Sequence, residues 1–161
     1  MSTKGKKRNE CKLCALLETP PSPLAGHLCP GLGALEKKHR KRIDGAAHCS
    51  VSIDGVLPQK KGQKIFDYMV VSATCQLHLV EDHSASSTRH ITEMREKKQG
   101  TEEILRANAH LKGVCDGVGW GSIRWHWTVS HGSVAFHGKS KEAKQIALLR
   151  IGHPTKKAAL S

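Results

Sequence analysis

Aromatic residues are scarce: one Tyr, two Phe and three Trp in 161 residues. Such side chains contribute much of the buried area of a large core, so a large, well-buried enzyme core is not expected. Acidic residues are short as well, 14 Asp and Glu against 26 Lys and Arg, for a formal net charge of +12. No run approaches the roughly 18 consecutive apolar residues of a membrane-crossing helix. Cys11–Leu17 is apolar but short, and Pro20, Pro21 and Pro23 close it off, so it does not read as a signal peptide. No Gly-x-Ser-x-Gly elbow, His-Glu-x-x-His pair or deaminase-type His-x-Glu with Pro-Cys-x-x-Cys is present, and an enzyme is not the first expectation.

What is there is unevenly placed. Residues 1–42 carry a net +7, residues 43–136 are neutral and residues 137–161 carry +5. A neutral centre between two basic ends suits a chain whose ends meet a polyanion while its middle supplies the core. The run Lys37, Lys38, His39, Arg40, Lys41, Arg42 can neutralise phosphates, and in a eukaryote it would serve as a nuclear localisation signal. A solvated helix face is the plainer reading of the same run. The expected location is intracellular, nuclear in a eukaryote and otherwise cytoplasmic.

Six cysteines in a chain expected to stay in a reducing compartment point away from a disulfide framework. Cys11 and Cys14 form a Cys-x-x-Cys pair, which pre-shapes half of a tetrahedral zinc site, and His27 and Cys29 follow after a loop. These four are the candidate zinc ligands. Free cysteines in a disordered basic arm, or a redox dithiol at Cys11 and Cys14, are the alternatives, and His39, His48 or Cys49 are substitutes within the second pair. A zinc knuckle feeding a basic helix, here expected from Pro30 to Ile43, is a nucleic-acid-binding layout.

The expected fold is α+β: a small Cys/His N-terminal module, short antiparallel strands in the centre, and strand, turn, strand and helix at the C-terminus. The domain reading is a basic Cys/His-rich module over 1–49 and a small α+β domain over 50–161. Asp54-Gly55 reads as a hairpin turn. Ile65–Val71 and Ala73–Val80 read as strands, with Cys75 a core residue. Residues 83–100 are ambiguous. Thr101-Glu102-Glu103 reads as a helix start, and Lys112-Gly113 as its stop. Ile123, Trp125, Trp127 and Val129 alternate with Arg124, His126 and Thr128, a half-buried strand whose tryptophans belong to the core. Ser140 caps a last helix through Ile151, ended by Gly152 and Pro154.

Gly138-Lys139-Ser140 is not a phosphate loop, because the first Gly of such a loop is not at the right distance. Instead Trp125–Val129, a turn, Val134–Phe136 and the run Gly-Lys-Ser-Lys-Glu-Ala-Lys-Gln-Ile-Ala over 138–147 resemble the second half of a double-stranded-RNA-binding domain. The resemblance spans about 25 residues and implies that Lys141 and Lys144 contact phosphate while Ala143 and Ala147 pack on the sheet. It departs at Ser140, where that family has a further Lys.

The expected function is therefore non-catalytic nucleic-acid binding, RNA ahead of DNA, through Lys37, Lys38, Arg40, Lys41, Arg42, Lys141 and Lys144. The alternatives are an interaction or structural subunit that folds on its partner, and a poorly folded product without a settled function. A Cys–His enzyme is the remaining reading, with Cys115-Asp116 its candidate. Eleven histidines predict a response to falling pH near 6.5.

Overall fold

A computed structural model describes residues 11–132, 134–136 and 140–161. In chain order the elements are α1 (Lys12–Glu18), β1 (Cys29–Pro30), α2 (Lys37–Arg40), β2 (Ile43–Asp44), β3 (Ala47–Ser52), α3 (Ile53–Val56), β4 (Tyr68–Ser72) and β5 (Leu77–Asp82). There follow α4 (Thr88–Ala107), α5 (Ala109–Val118), a 3-10 turn at Trp120–Ser122, β6 (Arg124–Thr128), α6 (Lys141–Leu148) and β7 (Ala158–Ala159). The fold is α+β with a mixed sheet of short strands. Its order is β1-β3-β4-β5-β6, antiparallel as far as β5, with β6 parallel to β5. A parallel neighbour requires a crossover, and α4 with α5 provides it.

The period-2 alternation of the strands sorts their side chains onto two faces. Met69, Val71, Leu77, Leu79, Trp125 and Trp127 join Ile91, Met94 and Leu105 of α4, Leu111 of α5 and Ile146 of α6 in the main core. Leu17 and Leu24 lie in that same cluster, so the described part of 1–49 shares its core with 50–161. On the opposite face Tyr68, Val70 and Val80 are covered by Leu35 and by Leu160, which follows β7. The tryptophans are core residues, as their alternation predicts.

Several local expectations give way to tertiary contacts. Asp54-Gly55 does not turn a hairpin but lies within the single helical turn α3. Ala73–Cys75 belongs to the β4–β5 turn, with Cys75 in the left-handed region at φ 61°. Cys29 and Pro30 pair with β3 instead of opening a helix. Thr101 does not start a helix. It sits deep in the 20-residue α4, its hydroxyl donating to the Lys97 carbonyl at 2.7 Å and accepting from the Phe66 N–H at 2.8 Å. The break falls later, at Asn108, whose side chain caps α5 by accepting from the Leu111 N–H. Ser140 caps α6 as expected, accepting from the Ala143 N–H. Val134–Phe136 forms no strand, and Gly138-Lys139 lies outside the described residues.

Gly100 fixes the approach of the 62–64 loop to α4. A Cβ built there would lie 2.1 Å from the Lys64 carbonyl oxygen, so the loop could not stay where it is. Gly100→Ala is therefore expected to lower stability by about 2 kcal/mol, although Ala is the better helix former. Urea denaturation checks this, and an unchanged or raised midpoint would contradict the packing.

Candidate functional site

The pairing of Tyr68 with Val80 in β4 and β5 places the next residues outward, Asp67 and Glu81, side by side. Glu81 shares its face with Leu77 and Leu79, so the sheet carries a carboxyl into the core beneath α4. Its side chain is only 2% exposed. The Asp67 N–H donates to Glu81 Oε2 at 3.0 Å, and the Lys97 ammonium from α4 contacts Glu81 Oε1. The Asp67 carboxyl also hydrogen-bonds the Glu81 carboxyl, so two carboxyl groups and one ammonium converge at the edge of the core.

The electrostatics follow from that burial. Desolvation pushes Glu81 up to about 8, with the neighbouring Asp67 adding to the rise and Lys97 opposing it. Asp67 is also raised, by burial first, with Lys97 again opposing. A buried and a half-buried carboxyl this close do not both ionise readily, because like charges in a poorly hydrated site repel strongly.

His83 follows β5 and is held by its backbone. Its N–H donates to the Thr128 carbonyl at 2.9 Å, and the Trp127 indole N–H donates to its carbonyl at 2.8 Å. Its Nε2 lies 2.6 Å from Glu93 Oε2 and its Nδ1 3.9 Å from Glu81 Oε1. Glu93 is held down to about 2 by the Arg89 guanidinium and by His83. A chain of polar contacts therefore links Lys97, Glu81, His83, Glu93 and Arg89. Arg89 in turn lines a groove between α4 and α6 together with Arg95 and Lys141.

Through the sheet, Asp82 anchors the segment that bears the basic run. His39 Nε2 is 3.3 Å from Asp82 Oδ2, and His39 Nδ1 is 2.7 Å from the Tyr68 hydroxyl. Thr128 and Ser130 also donate to the Asp82 carboxylate. Of the predicted phosphate contacts, Lys37, Lys38 and Lys41 are exposed on this segment, and Lys141 and Lys144 are exposed on α6. Arg40 is exposed as well, but its guanidinium is engaged locally, donating to the carbonyls of Leu35 and Gly33 at 2.8 and 3.2 Å. Arg42 reaches the Ser130 carbonyl at 3.5 Å, and its buried Nε has no partner. Ala143 packs inward as the resemblance implies, but Ala147 is exposed.

The four candidate zinc ligands are not brought together. α1 presents Cys11 and Cys14 to the sheet, where Cys11 is disulfide-bonded to Cys75 and Cys14 to Cys49. Neither sulfur is then a thiolate, which zinc requires. Cys29 is a free, half-buried thiol, and His27 stands apart from any ligand cluster among the described residues. The expectation of unpaired cysteines is corrected by the same two bonds. Among the described residues, His83, His90 and Glu93 do bring three donor atoms within 4.8 Å of one another. His90 Nδ1, however, already accepts the N–H groups of Ser86 and Ser87, closing the first turn of α4.

Cys115 is buried, and burial pushes its thiol up to about 11, the opposite of what a nucleophile needs. The histidine expectation also changes. His78 Nδ1 and His126 Nε2 lie 2.8 Å apart, and burial pushes both rings down to about 4, so neither gains charge near pH 6.5.

No family model, curated protein or solved structure matches this chain. Function therefore rests on the residues themselves. No described helix is long and apolar enough to cross a membrane. Asp67, Glu81 and Lys97 were missed in the sequence because 14 and 16 residues separate them successively and no local motif joins them. One signal was available: Glu81 continues the apolar face of Leu77 and Leu79, a position where an acid is costly.

Proposed function

We propose that this chain binds nucleic acid and hydrolyses its phosphodiester bonds at Asp67, Glu81 and Lys97. The observation that carries the reading is the meeting of the half-buried Asp67 carboxyl, the Glu81 carboxyl and the Lys97 ammonium at the start of β4 and the end of β5 in a basic protein. Alone, the acidic pair repels phosphate. With a divalent cation it attracts it, because hard cations such as Mg²⁺ and Mn²⁺ are held by one or two carboxylates together with substrate phosphate oxygens. Both Asp67 and Glu81 are oxygen donors of that kind.

When bound, such a cation would polarise the phosphate and make a nucleophile of water at neutral pH. Asp67 and Glu81 would position it, and Lys97 would place a positive charge beside the charge that grows on the phosphate oxygens. The exposed Lys37, Lys38 and Lys41, and the groove of Arg89, Arg95 and Lys141, would hold the flanking backbone. A buried acid pushed up to about 8 beside a second acid and a Lys also supports the reading, since such perturbed groups cluster at working sites.

The test is incubation of end-labelled DNA and RNA oligonucleotides with the protein and Mg²⁺ or Mn²⁺, with a chelator control. Cation-dependent cleavage is expected, together with binding whose logarithm falls linearly with log salt. Salt-dependent binding without cleavage would return the chain to the non-catalytic reading. Binding indifferent to salt would remove nucleic acid altogether.

A further inference from the structure

A cavity lies between α4, the Trp120–Ser122 turn, β6 and the end of α6. It has a volume of about 240 Å³ and is lined by Lys98, Glu102, Trp120, Trp125 and Arg150, among others. Its walls are aromatic and its mouth is cationic. Trp120 is clamped: the Arg106 guanidinium stacks 3.8 Å from the ring centroid, and the indole N–H donates to Asp116 at 2.8 Å. The indole is thus fixed before any ligand arrives. Lys98 lies 5.1 Å from the Trp125 ring centroid, with its ammonium donating to the Leu149 carbonyl at 2.6 Å and Glu102 3.8 Å away.

Arg150 is the unusual member. It follows α6 in the left-handed region at φ 54°, which side chains other than Gly and Asn rarely adopt. A helix most often has Gly at this position. Here an exposed Arg occupies it, and its guanidinium has no hydrogen-bond or ion-pair partner among the described residues. Two cations, Lys98 and Arg150, therefore face one cavity with a single acid between them. Their mutual repulsion adds to the burial that lowers Lys98, and an anion would relieve it.

We infer that this cavity takes one unpaired nucleotide, its base against the Trp120 indole and its phosphate between Arg150 and Lys98. A flat wall beside paired cations fits a base joined to a phosphate, because a base of any identity has a face to stack and the phosphate supplies the charge. The inference rests on the nucleic-acid reading above for the source of that nucleotide, namely an unpaired position of the bound strand.

The test titrates the full-length protein with adenosine and uridine 5′-monophosphates, following tryptophan fluorescence and binding heat. Ribose 5-phosphate and inorganic phosphate are the controls. Both mononucleotides should bind, at least about 10-fold more tightly than ribose 5-phosphate, since stacking on an aromatic ring has roughly that worth. Arg150→Gly should weaken mononucleotide binding at least about 10-fold while leaving the melting temperature equal or higher, because Gly suits the left-handed position. Trp120→Leu should reduce mononucleotide affinity to that of ribose 5-phosphate. Unchanged affinity in Arg150→Gly, or inorganic phosphate binding as tightly as a mononucleotide, would overturn the inference. The two readings fail separately: cleavage of oligonucleotides without mononucleotide binding removes only the pocket. Mononucleotide binding without any affinity for oligonucleotides removes only the nucleic-acid reading.

Discussion

Glu81→Gln is expected to stabilise the metal-free protein at pH 8 while abolishing phosphodiester cleavage. Burial and the adjacent Asp67 raise the Glu81 carboxyl from 4.5 to about 8 on folding. A carboxyl raised on folding supports the fold fully below its unfolded value, and that support is lost as pH rises from about 4.5 to about 8. Gln reproduces the shape of the protonated acid without its charge, so the variant should not lose stability over that window. At pH 8 in a chelator the gain should be on the order of 4 kcal/mol, and at pH 5 it should fall below about 1 kcal/mol. His78 and His126 act in the opposite sense, since their pKa values are lowered to about 4 and their support is lost as pH falls below 6.5. They are neutral in both states at pH 8, so the comparison there isolates Glu81. Denaturant titrations at the two pH values measure it. A variant less stable than the parent at pH 8 would mean that the Glu81–Lys97 contact holds the fold together and is not a site maintained against stability.

Removing the disulfide pair that fastens α1 should cost nearly as much as any single core change. Cys14–Cys49 closes a separation of 35 residues, and Cys11–Cys75 one of 64. Cross-links of this span restrict the unfolded chain by roughly 3–4 kcal/mol each. The double variant Cys14→Ser, Cys49→Ser should therefore lose about 3 kcal/mol under oxidising conditions, and added reductant should lower the parent's denaturation midpoint further. Core packing of Leu17 and Leu24 would keep the segment attached at low temperature, so the loss should show as a lower midpoint and not as an unfolded chain. A midpoint unmoved by reductant would contradict the two bonds.

The fold was legible where periodicity dominates and illegible where distant contacts decide. The alternation of Trp125 and Trp127 with Arg124 and His126 placed β6 within a residue, and the Ser140 cap placed the start of α6. Thr101 misled because its capping chemistry is real but is spent within α4, on the Lys97 carbonyl and on Phe66 from a distant loop. Asp54-Gly55 has the residues of a tight turn, yet Ile53 is fully buried and the chain there closes into one helical turn. Nothing local distinguishes these outcomes.

The site was less legible than the fold for the same reason. A Cys-x-x-Cys pair is visible in sequence, but the partners of Cys11 and Cys14 are set by which strand and turn lie beneath α1. Asp67, Glu81 and Lys97 meet only because β4 pairs antiparallel with β5 and α4 crosses above them. The exposed lysines, by contrast, were readable from charge alone, because solvated cations need no partner to be found on the surface. Arg40 and Arg42 show the limit of that reading: their guanidinium groups reach backbone carbonyls that no sequence pattern announces.

The most direct measurement is the single-turnover rate of oligonucleotide cleavage, with Mn²⁺ present, by the parent protein and by Lys97→Met. Met keeps much of the length of the Lys side chain but removes its charge. The account predicts a cation-dependent parent rate, at least about 100-fold lower in the variant, with oligonucleotide affinity nearly unchanged. Equal rates in the two proteins, or a rate that persists in chelator, would show that the convergence of Asp67, Glu81 and Lys97 is not where phosphodiester bonds are broken.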